Sequence, residues 1–195
     1  LLFSRKIDKG DKVSPADLKE FLNKITFENS KIESISKFGT RAIFENFTDV
    51  SKADIAGFIE NYVQKISNYF STSKTKIVFK SDLKQSFDVR FRPLDVSIII
   101  DNMISNSKKA DATSLTIELR SLTDKAMELS FKDNGKGLNK DVKDANSIFE
   151  KGFSTTRSTG LGLYHIKNII DENKWDIAVN TKLPKGIDFI LTIKK

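Results

Sequence analysis

The chain has 195 residues, 38% hydrophobic and 30% charged, which is enough for one substantial core and an appendage. It has no cysteine, which excludes disulfides and thiolate metal sites and suits a reducing compartment. The formal charge of +7 fits a nucleotide or an acidic partner as well as a solvated lysine-rich surface; the 33 Lys and Arg are spread along the chain without zinc-finger or RNA-binding spacing, so no nucleic acid is expected.

Ser14-Pro15 is a helix-start signal. Leu18, Phe21, Leu22 and Ile25, then Ile32, Ile35 and Phe38, recur at helical spacing and predict one long helix or two shorter ones within residues 1–50. Such a stripe packs either on its own domain or on a second copy. Residues 39–51 read as a connector, and Ser51-Lys52-Ala53-Asp54 as a capping box for a helix with Ile55, Phe58, Ile59, Tyr62, Val63 and Ile66 on one face. Strand signals follow at 76–80 and 87–91. Residues 97–110 predict a helix on which Asn102 and Asn106 share a face, with Lys109 three residues on. Residues 115–119 and 127–131 predict a hairpin, and 175–179 with 187–193 a last one around Pro184-Lys185-Gly186. The expected fold is α+β, a mixed sheet under helices. The richest apolar run, 96–100, is far short of the roughly 20 residues that span a bilayer, so a cytoplasmic location is expected, whether or not a longer parent is membrane-anchored.

Two glycine-rich stretches carry the chemistry. Asp133-Asn134-Gly135-Lys136-Gly137-Leu138 follows an apolar run and sets a short carboxylate among residues that allow close backbone approach, so Asp133 can accept the exocyclic amine of adenine. Thr159-Gly160-Leu161-Gly162-Leu163 opens a helix, where unhindered N–H groups and the helix dipole favour phosphate. The carboxamides of Asn102 and Asn106 are of the kind that can face magnesium. Taken singly these are a hairpin turn, a helix start and two amides on a solvated face.

Their order makes a resemblance. The asparagine helix, Asp-x-Gly-x-Gly, the run Ile148-Phe149-Glu150-Lys151-Gly152-Phe153, and Gly-Leu-Gly-Leu together resemble the ATP-binding domain shared by gyrase, Hsp90, histidine kinases and MutL. The likeness covers about residues 55–195 and is closest to the sensor histidine kinase branch, through its Asn-x-x-x-Asn box at 102–106. It implies a two-layer sandwich of the Bergerat type over residues 51–195, preceded by the tail of a dimerisation hairpin in residues 1–50. It further implies ATP and Mg²⁺ as cofactors, with Asn106 as the magnesium ligand, Asn102 as its polar support and Lys109 directed at the phosphates. By the same resemblance Asp133 reads adenine, and Gly135 and Gly137 shape its turn. Thr159, Gly160, Leu161, Gly162 and Leu163 present donors to the phosphates, Phe149 and Phe153 anchor a lid, and Arg157 within that lid reaches the terminal phosphate.

One difference separates the branches. Where gyrase, Hsp90 and MutL carry a glutamate that activates water, this chain has Asn102, which cannot take a proton. Loss of a general base costs about 10²- to 10⁴-fold in rate, so efficient hydrolysis is not expected unless Asp101 or another carboxylate substitutes. The run 106–113 still echoes MutL-like proteins. The one histidine, His165, lies in the helix after the second glycine loop and is expected to be structural, so autophosphorylation on this chain is not expected. A leucine at position 1 points to an excised region, with a phosphoacceptor domain or response regulator on a missing segment or another protein. The implied function is a histidine-kinase-type phosphotransferase domain; an ATPase clamp and a nucleotide-free interaction module are the alternatives.

Overall fold

A computed structural model of the chain describes residues 13–19, 21–23, 25, 50–70, 74–139, 142, 144–153 and 161–195. Near the N-terminus, residues 15–19, 21–23 and 25 are helical. The start is capped reciprocally: Ser14 Oγ accepts from the Asp17 N–H at 3.1 Å while the Ser14 N–H donates to Asp17 Oδ2 at 3.0 Å, satisfying two otherwise orphaned donors. The stripe predicted here is exposed at Leu18, Phe21, Leu22 and Ile25. Ile32, Ile35, Phe38 and most of the predicted connector lie outside the described residues.

The predicted capping box at Ser51–Asp54 is instead strand β1. It pairs antiparallel with β3 (Asp88–Phe91), from Ser51 opposite Phe91 to Asp54 opposite Asp88, which satisfies backbone groups on both segments. The Asp54 carboxylate accepts from the Phe87 N–H at 2.9 Å and so closes this pairing rather than capping the next helix. That helix, α1 (Ile55–Phe70), follows at once. Ile55, Phe58, Ile59, Tyr62, Val63 and Ile66 recur at three- and four-residue steps, and each is at most 1% exposed.

The main sheet has the order β2-β4-β5-β7-β6, with β2 (Lys76–Ser81) parallel to β4 (Ser114–Thr123) and every other pair antiparallel. The strands β5 (Ala126–Asp133), β6 (Asp176–Asn180) and β7 (Asp188–Lys194) form the rest. Alternation along them turns Leu115, Ile117, Leu119, Met127, Leu129, Phe131, Leu191 and Ile193 into the core, while Glu118, Glu128 and Lys132 lie on the other face. Helices α1, α2 (Pro93–Lys109) and α3 (Gly162–Glu172) cover the apolar face. The result is the mixed sheet under helices that the sequence predicts. Helix α2 begins four residues before the predicted Ser97, because Pro93 supplies the preset φ of a first helical position. Among the described residues no helix is long and apolar enough to cross a membrane.

Helices α2 and α3 are also joined by charge. Arg92 Nη1 lies 3.2 Å from Glu172 Oε2 and 3.5 Å from Asp95 Oδ2. Burial pushes the Asp95 carboxyl up, against the attraction of Arg92 and with Glu172 adding to the rise, while His165 acts the other way. A raised carboxyl contributes stability that is present at low pH and lost as pH climbs through its folded value. Asp95→Asn is therefore expected to gain melting temperature relative to the parent as the buffer goes from pH 4 to pH 8. A pH-independent difference in thermal melts would show that Arg92 fully compensates the buried charge.

Candidate nucleotide site

The site forms where α2, the end of β5 and the start of α3 meet. Helix α2 buries Val96, Ile99, Ile100, Met103, Ile104 and Ser107, which leaves Asn102 and Asn106 half-buried along one edge and Lys109 exposed at the last turn. Asp101, one step around the helix, turns to α1 and accepts from the Tyr62 hydroxyl at 3.0 Å. The carboxylate next in sequence to Asn102 is thus committed to packing α1 against α2.

Asn102 donates through Nδ2 to the Ile98 carbonyl at 2.8 Å. A Cβ built on Gly162 would stand 2.7 Å from Asn102 Oδ1, so the first residue of α3 is held against the amide. Gly162→Ala is accordingly expected to displace the Asn102 amide, the far end of a flexible side chain, and to cost about 0.5–1.5 kcal/mol, the range for losing its hydrogen bond to Ile98. Urea unfolding measures this, and an unchanged midpoint would mean that the amide swings away freely.

Among the described residues, Asn106 Nδ2 is buried without a hydrogen-bond partner. A carboxamide presents nitrogen or oxygen by a half-turn of its last torsion, so the unpartnered position can offer oxygen to a hard cation. The Asn106 amide therefore fits a magnesium ligand. Among the described residues no three His, Cys, Asp or Glu side chains gather to hold a metal, so a cation here would rest on Asn106 and on ligand phosphates.

Strand β5 delivers Asp133 at its end, only 5% exposed. Its N–H donates to the Ile187 carbonyl at 2.9 Å, carrying the pairing toward β7 one step further. The carboxylate is held by two donors: the Gly135 N–H at 2.8 Å on Oδ1, and the Ser107 hydroxyl at 3.2 Å on Oδ2. Asn134 ties the turn down, its Oδ1 accepting from the Thr113 and Ser114 N–H groups at 2.9 Å each and its Nδ2 donating to Thr113 Oγ1 at 2.8 Å. Gly135 is demanded by contact, since a Cβ there would lie 2.7 Å from the Ala110 carbonyl oxygen. Gly137 has φ +70 and lies against Gly186. Lys136 pairs with Asp111 and holds its carboxyl below the usual range. Both side chains are largely exposed, so that pair contributes little stability.

Phe149 ends a short 3₁₀ turn (Ala145–Phe149) and meets Phe189 edge-on, with ring centroids 6.5 Å apart. Phe153 packs half-buried on the same core, as does Leu163 of α3. Leu161 is exposed immediately before that helix. Arg157, Thr159 and Gly160 lie outside the described residues. The fold thus gathers Asn102, Asn106, Asp133, Gly135 and Gly162 about one junction. Ser107, Asn134 and Gly186 join them through partners distant in sequence, which local spacing does not reveal.

Several comparisons bear on this geometry. The sensor histidine kinase GraS of Staphylococcus haemolyticus is 30% identical over 138 residues, 67% of this chain and 39% of that protein. The chain therefore spans about two fifths of this relative's length. The nucleotide-free catalytic domain of histidine kinase ThkA superposes with a TM-score of 0.64 at 18% identity, covering 76% of this chain and 97% of that one. ThkA in complex with the response regulator protein TrrA gives 0.61 at 20% identity, over 99% of this chain and 55% of that one. These superpositions share the fold described above. Residues 91–195, more than half of the chain and nearly all of the nucleotide junction, match the family described as Histidine kinase-, DNA gyrase B-, and HSP90-like ATPase. The chain belongs to that family.

Proposed function

We propose that residues 51–195 hold Mg·ATP for transfer of its γ-phosphoryl group to an imidazole other than His165. The observation that carries this reading is Asp133: a carboxylate 5% exposed, locked by two donors, beside an asparagine helix with no general base at position 102. Its remaining lone pairs suit the adenine amine. Asn106 would hold magnesium, which when bound neutralises charge on the phosphates. Lys109 and Arg157 would supply further positive charge, and the backbone at 159–163 would donate to the phosphate oxygens. Phe149 and Phe153 would anchor a lid segment that follows them. In the transfer the acceptor nitrogen bonds to γ-phosphorus as the bond to the β–γ bridging oxygen breaks, and ADP leaves.

Among the described residues, the Asp101 carboxylate accepts from Tyr62 and position 102 is an amide, so neither of these offers a free base to water. This favours transfer over the hydrolysis of an ATPase clamp. Because ThkA is found with the response regulator TrrA, a regulator receiving the phosphoryl group is the fitting partner here also. The exposed stripe at Leu18, Phe21, Leu22 and Ile25 suits a homodimer contact, and a cytoplasmic location suits ATP. Equilibrium dialysis against γ-labelled ATP, with and without magnesium, tests the reading. Magnesium-assisted binding with negligible phosphate release is expected. Steady release would favour the clamp, and absence of binding would leave an interaction module.

A further inference from the structure

We infer that Ser107 is a positioning residue for base recognition, orienting the Asp133 carboxylate and coupling it to the metal-binding edge of α2; this rests on the nucleotide reading above. Ser107 is 3% exposed, and its hydroxyl lies 3.2 Å from Asp133 Oδ2 and 3.1 Å from the Met103 carbonyl oxygen. A hydroxyl has one proton, so the two acceptors compete for it. Donation to Met103 merely repeats a helical back-bond and leaves Asp133 Oδ2 without a donor. Donation to Asp133 stops the carboxylate from turning about its last torsion and, with the Gly135 N–H on Oδ1, leaves acceptor capacity in one orientation for a ligand amine.

The position of Ser107 adds a second effect. It directly follows Asn106 on the same rigid helix, and α2 ends just beyond it: Asp111 takes φ 55 and the Ala112 N–H closes on the Ser107 carbonyl at 3.0 Å. The residue that would hold the metal and the residue that orients the base reader therefore keep a constant separation. A purine whose edge pulls Asp133 out of line also pulls on α2, and so on Asn106. Base identity is in this way felt at the phosphate end.

The test compares ATP with purine riboside triphosphate, which lacks the 6-amino group, by titration of this chain in magnesium. The unmodified chain is expected to prefer ATP. In Ser107→Ala, ATP affinity should fall about three- to tenfold with the analogue unchanged, a loss on the scale of one ordinary net hydrogen bond. Ser107→Thr, which keeps the hydroxyl, should restore the preference. If the alanine variant fails to fold, Ser107→Cys, nearly isosteric and a weak donor, should show the same narrowing. Equal weakening of both ligands, or no change in either, would overturn the inference. Failure of the unmodified chain to bind either nucleotide would instead sink the ATP reading, before any variant is made.

Discussion

Asp133→Asn is expected to fold like the parent and to lose ATP affinity by about 10- to 100-fold, the scale of one mispaired hydrogen bond to a charged group. The Gly135 N–H requires an oxygen at Oδ1, so the amide nitrogen must take the place of Oδ2. There the Ser107 hydroxyl can accommodate it, turning its proton to the Met103 carbonyl and accepting from the new NH₂. Every buried group stays paired, which is why stability is retained. The side that met the adenine amine now also presents a donor, and two donors cannot pair. Titration with ATP beside a thermal melt separates the two effects. Unchanged affinity would remove Asp133 from base recognition.

Gly186→Ala is expected to be the most destabilising single exchange in this region, at about 3–5 kcal/mol, a large share of the 5–15 kcal/mol that holds an ordinary domain together. Gly186 has φ +84, and a Cβ there would stand 1.9 Å from the Asp133 carbonyl oxygen, 2.6 Å from its carbon and 2.8 Å from Asn134 Cα. All three are backbone atoms, so no side chain can rotate to make room. Gly152 supplies the control, with φ +83 and nothing within 4 Å of its added Cβ. Gly152→Ala carries only the left-handed conformational cost, about 1–2 kcal/mol. Urea unfolding of the two variants therefore separates crowding from conformation, and equal losses would show that the contact relaxes at no cost. Because the crowded atoms belong to Asp133 and Asn134, Gly186→Ala should weaken nucleotide binding as well.

Much of this architecture follows from local patterning. The apolar stripe Ile55, Phe58, Ile59, Tyr62, Val63 and Ile66 of α1 lies at helical steps, and the alternation along β4 and β5 places their apolar halves on one face, so each element announces its own period. The order of the asparagine helix and the two glycine stretches was equally plain, because a nucleotide site draws on residue types that few other tasks require. Local periodicity failed at Ser51–Asp54: its four residues satisfy a capping pattern, yet strand β3, more than thirty residues later, offers them a ladder. The same distance concealed the Asp101–Tyr62 bond, the Ser107–Asp133 bond and the approach of Gly186 to the Asp133 backbone. Helix and strand periods are properties of neighbouring residues, whereas hydrogen-bond partners and steric gaps arise only when the folded sheet and its helices bring distant segments into contact. The amino-acid order thus suffices for the elements and the chemical inventory of the site; how each carboxylate and amide is aimed depends on the packed fold.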